Sequence, residues 1–401
     1  MPYFIFYPRI IPACLLKSAK SKGAYLPGIS NRLPLIIIFL VLIAPAAGCA
    51  APPDFRLADV PPEPSPGPVT GAPEKSPPLP PLAEPGAKPE PCRPSLCYRP
   101  LPIGSQSPIQ LVRTSLIPAS PYLLEPGKAR LRLSTTWVNF WGYKRFSYLL
   151  DGEVLNSTAG VDFGLMNRFE LGFSCNSVRV GGGIMDSFIE RFHRTFRFDD
   201  YDRPDFPRNM FVLEFYNKRG ERYFYSGDER TPKERHRGAS ATAKLCLCNE
   251  VKWLPETALF FSYKHGSMRS HMPEATDTDD YGFGVLAGKK IGDWTLYLNL
   301  AEFHFRDKRF GSVRLRSVQR NLFLGAEYRI KPCFSVLMQF LGTSKAAVSF
   351  YDFSRPTTEG ILGLRWAFAE GAVLEFGLLE NLFEYFNSPD IGAHLGLSVE
   401  F

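Results

Sequence analysis

The chain has 401 residues, of which 45% are hydrophobic and 14% aromatic, which excludes a disordered chain and leaves room for one large domain or two modest ones. The net charge is +7, but Lys and Arg are interleaved with Asp and Glu, a pattern of solvated loops that argues against a nucleic-acid surface. Beyond residue 49 there is no apolar run of about 18 residues, so no transmembrane helix is expected there.

Residues 1–49 read as a secretory signal segment. Arg9, Lys17, Lys20, Lys22 and Arg32 precede a short apolar core at 33–43 (LPLIIIFLVLI), followed by small residues. Ala46-Ala47-Gly48-Cys49 resembles a bacterial lipobox, with Ala46 where Leu is usual. The resemblance implies lipidation of Cys49; ordinary cleavage near Ala47–Ala50 is the alternative.

Residues 50–110 form the next unit. The stretch 52–108 holds 19 of the 36 prolines. Proline fixes φ and offers no backbone donor, so neither helix nor sheet is expected, and the stretch reads as an extended, disordered periplasmic linker. Cys92 and Cys97 lie in it, either as a small disulfide or as two free thiols.

From residue 111 to 401 the texture is that of an all-β fold, an antiparallel transmembrane β-barrel. Segments of roughly ten residues alternate apolar with small or polar side chains. They fall at 129–140, 155–165, 169–180, 240–248, 257–264, 281–289, 294–305, 321–330, 333–341, 360–368, 372–379 and 391–401. Short turns alternate with longer connections, and with both termini on the periplasmic side this gives about 12 strands, within limits of about 10–14. A further strand-like pair at 210–216 and 221–225, inside the long loop 181–238, is the source of the upper count. Trp137, Trp141, Trp253, Trp294 and Trp366 all fall near expected strand ends, as interfacial girdles do.

The last segment, IGAHLGLSVEF, puts Ile391, Ala393, Leu395, Leu397, Val399 and Phe401 on one face. It resembles the signal read by the barrel-assembly machinery: Phe401 matches its terminal aromatic, Leu397 and Val399 its apolar alternation, with Val399 where a second aromatic is common. The resemblance implies that machinery as a partner, together with outer-membrane lipid and lipopolysaccharide.

Opposite-parity positions would face the lumen. They carry Glu170, Lys244, Lys264, Glu327, Arg329, Arg365, Glu375 and Glu400, compatible either with a wet lumen or with charges that pair and close it. In the long loop, Phe188, Phe192 and Phe196 recur at helical spacing, with Arg191, Arg194 and Arg197 off that stripe and His193 on the same helix, near Asp186 and Glu190. Such a helix would gate the mouth, lie on the outer leaflet with its arginines on lipid phosphates, or pack on the rim. Acids at Asp199, Asp200 and Asp202, and at Asp277, Asp279 and Asp280, lack an EF-hand pattern and read as solvated turns. His193 and His394 stand in no Ser/His motif such as GxSxG, so no enzyme, cofactor or metal is expected.

The region from about Pro118 to Phe401 also resembles the uncharacterised domain-of-unknown-function family 3187. The residues that carry this are 121–127 (PYLLEPG), 150–153 (LDGE), 167–172 (NRFELG), 182–196 (GGIMDSFIERFHRTF) and 203–209. The family implies an outer-membrane protein and no activity. The expectation is a narrow channel or binding barrel for small solutes; a structural or envelope-interaction barrel is the alternative, and a lipid-active enzyme a third.

Overall fold

The computed structural model describes residues 98–196, 202–216, 222–227, 233–270, 279–306, 308–310, 313–383 and 387–401. The signal segment with Cys49, the linker up to residue 97, and Arg197, Asp199, Asp200 and Asp277 lie outside the described residues.

The strands run β1 Ala129–Lys144, β2 Tyr148–Met166, β3 Phe169–Gly181, β4 Phe211–Tyr216, β5 Arg222–Gly227, β6 Lys233–Cys248, β7 Glu256–Ser270 and β8 Asp280–Ile291. They continue as β9 Trp294–Phe305, β10 Arg309–Phe310, β11 Val313–Arg314, β12 Val318–Lys331, β13 Phe334–Thr343, β14 Thr357–Ala369, β15 Ala372–Asn381 and β16 Ile391–Glu400. Among the described residues one α-helix, α1 Asp186–Phe196, follows β3.

Twelve of these form the wall: β1, β2, β3, β6 to β9 and β12 to β16, each antiparallel to the next. β16 returns to β1 in register from Arg130↔Glu400 to Asn139↔Ile391. At the seam, the peptide groups of Ala129 and Phe401 exchange two hydrogen bonds of 2.9 Å. Closure is what lipid demands, because an open edge would leave a row of peptide groups with nothing to bond.

Side chains alternate accordingly. Leu131, Leu133, Phe173, Leu259, Phe261, Phe283, Leu300, Met338, Leu362, Leu378 and Leu395 are exposed on the outside, while Arg130, Glu170, Glu327, Arg365 and Glu375, of the other parity, are buried within. An apolar exterior of this extent would aggregate in water and is at home in a bilayer. The chain is a bacterial outer-membrane β-barrel.

The pair β4–β5 does not enter the wall. Among the wall strands, β4 pairs with the outer end of β2 alone, from Tyr148↔Phe215 to Asp151↔Val212, so the hairpin extends the sheet above the rim and the ring keeps twelve strands. Residues 140–153, expected as a loop, are largely strand: β1 and β2 stay paired to Lys144↔Tyr148. Their alternation fails because both faces are covered. Trp141 and Tyr143 pack outside against Phe206, at 5.2 and 4.9 Å between ring centroids. On the inside, Tyr148 and Leu150 join Phe215, Val313, Phe350 and Phe353 in an apolar cap over the outer mouth. Trp253, Trp294 and Trp366 are exposed at the periplasmic end, whereas Trp141 is buried under this cover and away from lipid.

Leu395 lies about 15 Å along the membrane normal from Phe401, near the middle of the apolar band. Leu395→Arg is expected to destabilise the barrel by about 2–4 kcal/mol, read as a lower urea midpoint in heat-modifiable gel migration, with Ser398→Arg on the inner face as the comparison.

Candidate functional site: a plugged lumen

Residues 98–128 run inside the barrel. The end of the expected linker, residues 98–110, is therefore ordered and internal. The path begins at the periplasmic mouth with Tyr98, whose hydroxyl accepts a 2.6 Å hydrogen bond from Arg329 Nη1. It rises to a single 3-10 turn, Gln110–Val112, then descends to the periplasmic end at Tyr122 and Leu124 before Gly127 leads into β1.

A proline-rich segment makes few hydrogen bonds with itself, here mainly those around the 3-10 turn, so its other peptide groups need partners from elsewhere. The wall supplies them. On the way up, Arg99 N–H donates to Glu327 Oε2 at 3.2 Å, Leu101 N–H to Gln339 Oε1 at 2.6 Å and Gln106 N–H to Glu359 Oε1 at 2.8 Å. At the apex, Gln110 Nε2 donates to Gln319 Oε1 at 3.0 Å, and Arg113 Nη2 donates to the Arg316 carbonyl at 2.7 Å. On the way down, Thr114 N–H reaches Asp280 Oδ2 at 3.1 Å, Ala119 N–H reaches Asn299 Oδ1 at 2.9 Å and Leu124 N–H reaches Glu170 Oε2 at 2.8 Å. Apolar contacts add to this: Leu101, Ile103 and Leu111 share a core with Val138, Leu337, Ile361 and Leu379. Gly363 makes room for it, since a Cβ there would stand 2.4 Å from Leu101 Cδ1.

The inner-face charges named from sequence all lie on the inner side, and most are paired. Arg365 sits between two carboxylates, Nη1 at 3.0 Å from Glu327 and Nη2 at 2.9 Å from Glu375. Glu327 also accepts from Ser335 Oγ at 2.6 Å and Tyr297 Oη at 2.7 Å. Lys244 pairs with Glu170 at 2.6 Å and Glu400 with Arg130 at 2.8 Å. Lys264 is buried. Arg329 bridges Asp293, at 3.0 Å, and Tyr98 at the periplasmic mouth. The ions within the lumen are desolvated, and their partners and hydrogen bonds offset that cost, whereas the Arg329–Asp293 pair at the mouth is partly exposed.

The plug leans on the half of the wall from β8 to β14. Opposite it, a cavity of about 190 Å³ separates plug from wall. Arg132, Thr158, Asn176, Thr242, Ser262 and Lys264 line it from β1, β2, β3, β6 and β7, and Arg99 and Arg113 from the plug. Above the apex, Ile109 meets the apolar cap, where a second, apolar cavity of about 50 Å³ is lined by Phe140, Phe211, Phe350 and Phe353.

Both strands of the plug are clasped at the periplasmic mouth. The Lys290 ammonium lies 4.2 Å from the ring centroids of both Tyr98 and Tyr122. The Tyr122 hydroxyl donates to Glu250 Oε2 at 2.8 Å, and burial together with that carboxylate pushes the phenol pKa up. Glu250 Oε1 accepts the Lys290 N–H at 2.9 Å and faces Lys289 Nζ at 3.2 Å. Burial alone would raise the Glu250 pKa, but these donors outweigh it and hold it below the ordinary carboxylate value.

The loop helix is outside the lumen. α1 lies against the outer surface of β1 and β2, so it does not fold into the mouth as a gate. Glu153, facing outward from β2, accepts the indole N–H of Trp137 at 2.7 Å and the N–H of Ile184 at 2.7 Å, and also binds Met185 N–H at the helix start. Gly183, at φ +66°, is required here: a Cβ would stand 1.8 Å from the Glu153 carboxyl carbon. Asp186 and Asp390 grip Arg203 at 3.2 and 2.7 Å, and His193 Nε2 is 3.7 Å from Asp390. His394 instead faces the lumen, its Nδ1 2.8 Å from Thr136 Oγ1.

Sequence reasoning missed the plug. A signal was present in the inward carboxylates and amides Asp280, Asn299, Gln319, Gln339 and Glu359, a row of buried hydrogen-bonding groups on β8, β9, β12, β13 and β14. Of the remaining sequence candidates, Leu395 and Phe401 are exposed on the outer face, with Leu397 and Val399 half-buried on the same parity.

Solved structures match the chain over most of its length at low identity. An outer-membrane channel from Pseudomonas putida F1 is 14% identical with a TM-score of 0.48, over 71% of this chain and 100% of its own. The NanC porin is 8% identical with a TM-score of 0.40, over 68% and 98%. The transport unit of the autotransporter AIDA-I from Escherichia coli is 11% identical with a TM-score of 0.41, over 76% and 100%. No curated protein matches the chain. A family model matches residues 92–231 and 261–401, beginning just before the plug and running through both halves of the wall, and the chain belongs to that family, the protein of unknown function family DUF3187.

Proposed function

We propose that the protein is a narrow outer-membrane channel or binding barrel for small polar solutes, with residues 98–128 as its restriction. The observation that supports this reading is the cavity of about 190 Å³ beside the plug, lined by hydroxyls and amides, by the cations of Arg132, Lys244 and Lys264 and by the carboxylates of Asp162, Glu170 and Glu375. A lumen evolved only as a scaffold would close on its own ion pairs; this one keeps a polar space along the plug. The apolar cap over the outer mouth makes the described state a closed one. The reading is non-enzymatic. It makes the plug the part that moves.

Three measurements in planar bilayers test it. The refolded protein is expected to show small, infrequent conductance steps, and deletion of residues 98–126 several-fold larger ones; silence from both would leave the structural-barrel reading. Glu359→Ala removes the acceptor for Gln106 N–H midway along the ascending limb and is expected to raise the open fraction without changing heat-modifiable migration. Acid is expected to act at the clasp. Glu250 is held below its ordinary value, so its contribution is complete above about pH 4.3 and is lost as pH falls through the folded-state value. Opening frequency should rise in that acidic window, and Glu250→Gln should show the raised frequency already at pH 7.

A further inference from the structure

The faces of α1 are reversed from those of a helix on a soluble protein. Asp186, Ile189, Glu190 and His193, at i, i+3, i+4 and i+7, are buried against the wall. The partners of this polar face are Asn139 and Arg203 for Asp186, Arg208 for Glu190 at 2.6 Å, and Asp390 for His193. Phe188 points away, with the half-buried Phe192 beside it. Phe188 is 57% exposed and stacks on Phe192 at 6.3 Å, and Ile184, just before the helix, is 68% exposed. In water, this arrangement would forgo most of the apolar burial the helix has to offer.

Its height on the barrel supplies the reason. From Leu131, in the exposed apolar belt, to Asn139, beneath the helix, is about 20 Å along the membrane normal, against an apolar band of roughly 25 Å. The helix thus stands at the outer edge of the belt, just beyond Trp137, and its stripe continues the lipid-facing surface. Arg191 and Arg194 are exposed one turn apart, and no carboxylate among the described residues lies within ion-pair distance of either. At that depth in the outer leaflet the anions are lipid phosphates, which a guanidinium binds through two parallel N–H donors.

We infer that α1 is a docking surface for the phosphorylated, acylated glycolipid of the outer leaflet. Ile184, Phe188 and Phe192 enter its acyl region and Arg191 and Arg194 hold its phosphates. The buried clasp of Glu153, Asp186 and Arg203 keeps the helix on the wall so that its aromatic side is available to lipid.

The test uses the full-length protein in detergent, titrated with bis-phosphorylated lipid A and with dephosphorylated lipid A, and bound lipid counted by native mass spectrometry. The unmodified protein is expected to prefer the phosphorylated form. The pair Arg191→Glu and Arg194→Glu should weaken that form about tenfold or more and leave the dephosphorylated form unchanged. Phe188→Ser with Phe192→Ser should weaken both. These side chains lie outside the clasp, so heat-modifiable migration should be retained, and retained migration qualifies each variant for comparison. Equal binding of both lipids by the unmodified and charge-reversed proteins would overturn the inference. So would a stable dimer dissolved by the Phe substitutions with lipid binding unaltered, since a second copy would then be what covers the stripe.

Discussion

The need of every main-chain N–H and C=O for a partner governs both the wall and its contents. In the bilayer it forces the sheet to close, and β16 meets β1 along ten residue pairs to do so. In the lumen the same need is met differently. The plug is irregular and proline-rich, so its amides turn to side chains of the wall, and Glu170, Asp280, Glu327 and Glu359 each take one. The inner surface is thus complementary to a particular course of chain.

Electrostatics follow from that arrangement. Carboxylates committed to plug amides carry charge into the barrel, and the buried cations answer it: Arg365 serves Glu327 and Glu375, and Lys244 serves Glu170. Glu327 ties the two systems together, since it holds Arg365, Tyr297, Ser335 and the Arg99 amide at once. Removing the plug would leave acceptors in a wet lumen, where water replaces the lost donors at small cost. Removing Arg365 would leave two uncompensated carboxylates in a dry one, which is far more costly. The wall is therefore the stable element and the plug the exchangeable one.

The wall was legible in the sequence wherever one face meets lipid and the other does not, because only then does the period-2 pattern survive. It failed at the outer ends of β1 and β2, where Phe206 covers one side and the apolar cap the other. The inward charges were legible by parity, but their partners were not, since Arg365 and Glu327 are set beside each other only by the register of β12, β13 and β14. The plug left no periodic trace, its conformation being dictated by the wall. The stripe Phe188–Phe192 was visible, yet periodicity cannot say whether an apolar face seeks protein or lipid. The register of Asn139 with Glu153 decided that, by giving the polar face of α1 something to hold.

The course of residues 98–128 has a topological consequence. The segment goes up and comes back, so Tyr98 and Tyr122 meet the same Lys290 at the same mouth. A chain that entered at one end and left at the other would be threaded, and could be freed only by pulling a terminus through the ring. A hairpin is not threaded. It can be drawn out as a bight of rope is drawn from a ring, with the β1–β16 seam shut throughout, and returned by the same route.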